Sequence, residues 1–126
     1  MDIDGPGWPL IDDFFEHLST GRAASTVRRY ARVRLRLYDF LDVDDMASWL
    51  TPDEVVLLAA EREFDRDGAL LRLLGADGLV RCLPGLVAEQ RLPTTAAEAR
   101  MQVSVTGRLL RHLERIDAGS RDMRYD

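Results

Sequence analysis

The chain has 126 residues and a formal net charge of −5, with 46% hydrophobic and 31% charged side chains. All 17 basic residues are Arg, which excludes chemistry that needs a lysine, such as a Schiff base or a P-loop phosphate contact. The length suits one domain with a real core, and the Leu, Val and Ala residues interrupting the charges argue against disorder.

A lone Cys82 excludes an internal disulfide framework and a Cys-rich zinc site, and fits a reducing, cytoplasmic setting. The opening MDIDGPGWPL has two Asp and no basic group, unlike a signal peptide. No apolar run approaches the roughly 18 residues needed to span a membrane.

Strand alternation is nearly absent, whereas helical periodicity and caps recur along the chain. Pro9 opens a short helix over 9–19, with Leu10, Phe14 and Leu18 at spacings of four and Gly21 as its stop. Ser25 or Thr26 is expected to cap a long second helix over 26–42. Thr51-Pro52-Asp53-Glu54 combines a cap, a proline at the first helical position and a capping box, so a third helix runs to about Phe64. A short helix over 69–75 and a segment over 79–90, broken at Pro84-Gly85, come next. Thr95-x-x-Glu98 caps a last helix through Ile116. The expectation is an all-α bundle of five or six helices over 8–116, with flexible termini at 1–7 and 117–126.

Local charge departs from the average. Residues 21–38 hold six Arg, Arg22 among them, and no acid; residues 39–67 hold ten acids against two Arg. Residues 91–115 return to five Arg against Glu98 and Glu114. On a helical projection of the second helix, Val27, Tyr30, Ala31, Leu37, Tyr38 and Leu41 form an apolar stripe about 120° wide. Arg28, Arg29, Arg32 and Arg36 lie opposite it with Ser25, a face that self-repulsion disfavours unless an anion answers it. Arg34 projects into the stripe and is expected to snorkel or to find a carboxylate, which the acidic third helix could supply. The last helix repeats the design, with Ala99, Val103, Thr106, Leu109, Leu110, Leu113 and Ile116 on its buried side. Arg100, Ser104, Arg108, Arg111 and Arg115 fill its opposite sector. If the fold joins the two Arg faces, they make a positive groove, and nucleic acid is its natural ligand, because guanidinium binds phosphate bidentately and reads guanine edges.

The run Leu10 to Leu18, then Ala24-Ser-Thr-Val-Arg-Arg-Tyr30 and on to Phe40-Leu41, resembles the N-terminal core-binding domain of tyrosine recombinases (phage integrases). Thr26 and Tyr30 match that family's Thr-x-x-x-Tyr motif, Thr51 to Glu54 its third-helix start, and 95–116 its closing helix. The resemblance implies a SAM-like helical bundle whose second and last long helices approach duplex DNA, as in DNA integration and recombination. It implies contacts from Ser25, Thr26, Arg28, Arg29, Arg32 and Arg36, and from Arg100, Arg108 and Arg111, with Arg22 beside them. Arg34 departs from the family, which keeps an apolar residue there, and the chain is too short to include the recombinase catalytic domain.

No catalytic residue, metal site or cofactor is expected. His112-Leu-Glu-Arg115 with Tyr125 imitates the recombinase nucleophile region, but it falls within the last core-binding helix and has no Lys acid. Asp65-x-Asp67-Gly68 fails the spacing of a calcium loop and reads as a turn. His17 and His112 lie on different helices without a partner at metal-binding spacing, Cys82 is a buried thiol, and Trp8 and Trp49 are core or staple residues. The expected function is non-enzymatic duplex DNA binding. The alternative is a protein-interaction or self-associating module, in which the acidic segment or the Arg faces dock a partner or a second copy, or the acidic segment covers the Arg face.

Overall fold

The computed structural model describes residues 8–125, with side chains described for 10–116. The protein is an all-α bundle, and no strand occurs among the described residues. Its elements are α1 (Trp8–Ser19), α2 (Ala24–Val43), α3 (Pro52–Phe64), α4 (Ala69–Leu86), a 3₁₀ turn (Glu89–Arg91) and α5 (Ala96–Tyr125).

Gly21 stops α1 in the left-handed conformation (φ +76°), a geometry a side chain would resist, and the Arg22 amide donates back to the Ser19 carbonyl at 3.2 Å. The chain re-enters a helix at once. The expected cap at Ser25 or Thr26 is corrected: α2 begins at Ala24, its N-cap is Ala23, and no side chain caps it. Both residues fall in the first turn, where backbone N–H groups point outward without intrahelical acceptors.

At α3 the capping box is complete, with the Glu54 amide donating to Thr51 Oγ1 at 3.2 Å and the Thr51 amide to Glu54 Oε1 at 2.9 Å. The box at Thr95 is only half formed. The Glu98 amide reaches Thr95 Oγ1 at 3.4 Å, but the Glu98 side chain turns to α2 instead. The expected short helix over 69–75 and the segment after it are two helical stretches of α4 that meet at a kink. Gly75 (φ +65°, ψ −157°) interrupts its helical backbone, and Pro84 falls in its last turn, where the helix ends at Leu86. The backbone of α5 continues as helix to Tyr125, past the expected end at Ile116. The expected flexible segment 1–7 and the side chains of Trp8 and Tyr125 lie outside the described residues.

α2 contacts α1, α4 and α5, and α4 contacts α2, α3 and α5. Tyr30, Val33, Leu37, Phe40 and Leu41 of α2 meet Ile11, Phe14 and Phe15 of α1, Leu79, Leu83 and Leu86 of α4, and Val105, Leu109 and Leu113 of α5 in one core. Each such burial contributes about 1.5–3 kcal/mol, so this shared core holds the helices together. The buried face of α5 differs from the projection. Gln102 and Val105 are buried, whereas Val103 is 47% and Ile116 is 39% exposed. Gln102 was hidden from the apolar pattern because its amide, unlike Val103, finds polar partners inside.

Arg34 also differs from expectation, since its carboxylate comes from α1 rather than α3. Its Nη1 lies 3.7 Å from Asp12, which also accepts a hydrogen bond from the Tyr38 hydroxyl.

Candidate nucleic-acid interface

The two Arg-bearing helices lie side by side, but the seam between them is filled. Arg32 Nη2 lies 2.8 Å from Glu98 Oε2, and Arg36 Nη2 lies 3.4 Å from Glu98 Oε1. Arg36 Nε donates to Gln102 Oε1, while Gln102 Nε2 donates to the Leu86 carbonyl at 2.7 Å. The hydrogen bond from Arg32 holds the Glu98 carboxyl below its usual range, and the same bond raises the Arg32 pKa. The two helices therefore do not form an open positive groove. Arg36 is a joint between helices, and Arg32, 49% exposed, presents one edge to solvent.

The acidic segment is answered elsewhere. Glu54 accepts two bonds of 2.8 Å from Arg81, and Glu61 accepts one of 2.8 Å from Arg72. Arg91 Nε donates to Asp44 at 2.9 Å, its Nη1 lies 3.5 Å from Asp39, and its guanidinium stands 5.6 Å over the Phe40 ring. Arg62 donates to the Leu41 carbonyl at 2.8 Å, and burial lowers its pKa. The α4 arginines Arg72 and Arg81, with Arg91, thus pair with acids of the 39–67 segment.

What remains is a smaller set. Of the arginines expected to contact DNA, Arg22, Arg28, Arg29, Arg100, Arg108 and Arg111 are exposed and make no ion pair with the described residues, and Arg66 and Arg115 are exposed and unpaired as well. Ser25 is exposed beside them, and Thr26 is half-buried. Arg28 and Arg29 rise only about 8 Å above the start of α2, so with Arg22 they crown the α1–α2 connection. That connection leaves α1 at the end whose His17, Leu18 and Thr20 face Arg108, Arg111 and Arg115 of α5 across a groove. Arg22, Arg28 and Arg29 thus lie at or just before the start of α2, while Arg108 and Arg111 line the α1–α5 groove with Arg115. Arg100 stands apart, about 12 Å earlier along α5 than Arg108.

The α1–α5 groove is the feature sequence reasoning missed. It brings together His17 and His112, the only two histidines of the chain, and packs the His112 ring 5.4 Å from the Phe14 ring. A helical projection places each histidine on its own helix but says nothing of which helices are neighbours.

Other candidates resolve as packing. Cys82 is fully buried, and burial pushes its thiol up to about 11, so it is not a nucleophile at neutral pH. Asp65 Oδ1 accepts from the Asp67 amide at 3.2 Å and Gly68 is left-handed (φ +75°), so this run is the turn expected. Trp49 packs against the core. Among the described residues no group of three or more His, Cys, Asp or Glu side chains is placed to hold a metal, and no helix is long and apolar enough to cross a membrane. No family model, curated protein or solved structure matches this chain.

Proposed function

We propose that the protein is a non-enzymatic duplex DNA-binding module, related in plan to the recombinase core-binding domain it resembles. Phosphate contact is assigned to Arg22, Arg28, Arg29, Arg108 and Arg111, with the exposed edge of Arg32. Ser25 and the first-turn amides of α2 supply neutral donors. One observation carries the reading. Arg34, Arg36, Arg62, Arg72, Arg81 and Arg91 are matched to carboxylates, a carbonyl or Gln102, whereas Arg22, Arg28, Arg29, Arg108 and Arg111 are exposed and make no ion pair with the described residues. Unpaired guanidinium groups repel one another, and a polyanion relieves that repulsion.

Fluorescence anisotropy with a labelled duplex across a salt series tests it. Affinity is expected to fall steeply with salt, and Arg28→Glu with Arg29→Glu to abolish binding while the helical circular dichroism is kept. Because Arg32 and Arg36 join α2 to α5, reversing them would confound binding with folding. Equal binding by the Arg28/Arg29 variant and the parent defeats the proposal.

A second reading, a protein-docking module, draws on α3. Val56 is 68% and Phe64 is 83% exposed there, an apolar face without a partner among the described residues. A concentration-dependent oligomer in light scattering that Phe64→Glu dissolves, with no DNA binding at low salt, would favour it.

A further inference from the structure

The groove between α1 and α5 has a volume of about 660 Å³, within the range of small-molecule sites. Its two walls differ in charge. Arg108, Arg111 and Arg115 line the α5 side, while Asp13 and Glu16 line the α1 side. Elsewhere in this fold, arginines that face carboxylates close to within 4 Å of them, as at Arg32, Arg72 and Arg81. Here three arginines and two carboxylates share one groove, and no ion pair joins them. The packing of α1 on α5 through Phe14 and His112 holds the walls apart. Between the walls, Phe14 and Leu18 offer apolar surface and His112 an aromatic edge.

We propose that this groove binds a small organic molecule with an oxyanion at one end and a non-polar ring or chain behind it. The oxyanion, carboxylate or phosphate, sits on Arg111 and Arg115, whose planar forks accept either one bidentately. The non-polar body lies over Phe14 and Leu18. Asp13 and Glu16 repel a second negative charge, so the groove rejects a ligand that is anionic along its whole length. A nucleic-acid strand is such a ligand, so no strand enters the groove, although the exposed Arg108 and Arg111 also belong to the DNA surface proposed above; the small-ligand reading does not rest on that surface.

Anilinonaphthalene sulfonate, an anion with an aromatic body, is the probe, and uncharged N-phenylnaphthylamine is its control. The parent is expected to bind the sulfonate saturably at one site per chain and the neutral dye far more weakly. Arg111→Gln with Arg115→Gln should weaken sulfonate binding about tenfold, the loss of a charged hydrogen bond. Arg28→Gln with Arg29→Gln should leave it unchanged, which separates the groove from the DNA surface. Glu16→Gln should tighten binding by about threefold through relief of repulsion, a gain that misfolding does not produce. Inorganic phosphate and benzoate in separate arms, competing for the dye, distinguish the two head groups. Equal binding of the two dyes, or indifference to both the Arg111/Arg115 and the Glu16 changes, overturns the proposal.

Discussion

Glu98 on α5 and Arg32 on α2, 66 residues apart in sequence, meet at 2.8 Å. The contact gives the basic face of α2 an internal anion that competes with any external one for the same guanidinium. Replacing Glu98 with Gln removes that competitor while Gln102 still anchors Arg36. Duplex DNA affinity should rise several-fold at low salt, and the salt dependence should steepen by about one phosphate contact. The melting temperature should fall slightly, because Glu98 is also the acidic residue of the first turn of α5, where the helix dipole favours it. A salt slope that Glu98→Gln leaves unchanged would remove Arg32 from the interface.

Glu54 has two duties, closing the α3 cap and clamping Arg81 of α4. The bonds from Arg81 first, then the Thr51 amide, lower its pKa from 4.5 to about 2. A carboxyl depressed on folding contributes stability that is complete above its unfolded pKa and is lost as pH falls through the folded one. The Glu54 contribution is therefore intact above pH 4.5 and fades between 4.5 and 2. Glu98, lowered in the same direction, adds to the loss. Melting temperatures across this range should drop for the parent. They should drop less for Glu54→Gln, which starts from a lower value at neutral pH.

These two acids show what a single sequence conveys. Thr51-Pro52-Asp53-Glu54 is legible because a capping box is local, closed within one turn. Thr95 to Glu98 carries the same signal, yet its second half is absent because Arg32, distant in sequence, binds the carboxylate more strongly than the N-cap amide does. The helical periods of α2 and α5 likewise revealed their Arg faces. Pairing between helices decided which of those arginines remain unpaired, and periodicity carries no information on pairing. Gln102 and the α1–α5 groove were hidden for the same reason, since a polar side chain enters a core only where another element supplies partners.

Gly85 lets α4 lie directly against Phe40 and Trp49. A Cβ there would lie 2.7 Å from Phe40 Cζ and 2.8 Å from Trp49 Nε1. Phe40 is buried and packed on every side, so the ring cannot retreat without opening the core. Gly85→Ala should destabilise by about 1–3 kcal/mol despite the better helix propensity of alanine. Urea unfolding measures it, and a variant as stable as the parent would show that α4 shifts freely on α2.

Two polar residues on the buried face of α5 predict opposite outcomes from similar chemistry. Gln102 is fully buried, with its amide oxygen accepting from Arg36 and its nitrogen donating to the Leu86 carbonyl. Leucine in its place keeps most of the volume but strands both partners, and an orphaned buried group costs about 1–3 kcal/mol. Thr106, one turn on, is 6% exposed, and its hydroxyl is buried without a hydrogen-bond partner. Thr106→Val deletes that unsatisfied oxygen at nearly constant shape and should stabilise by about 1 kcal/mol. Urea unfolding of the two variants should therefore move the midpoint down for Gln102→Leu and up for Thr106→Val. A shift of the same sign in both would mean that the face of α5 tolerates polarity without regard to partners, against the hydrogen bonds that join it to α2 and α4.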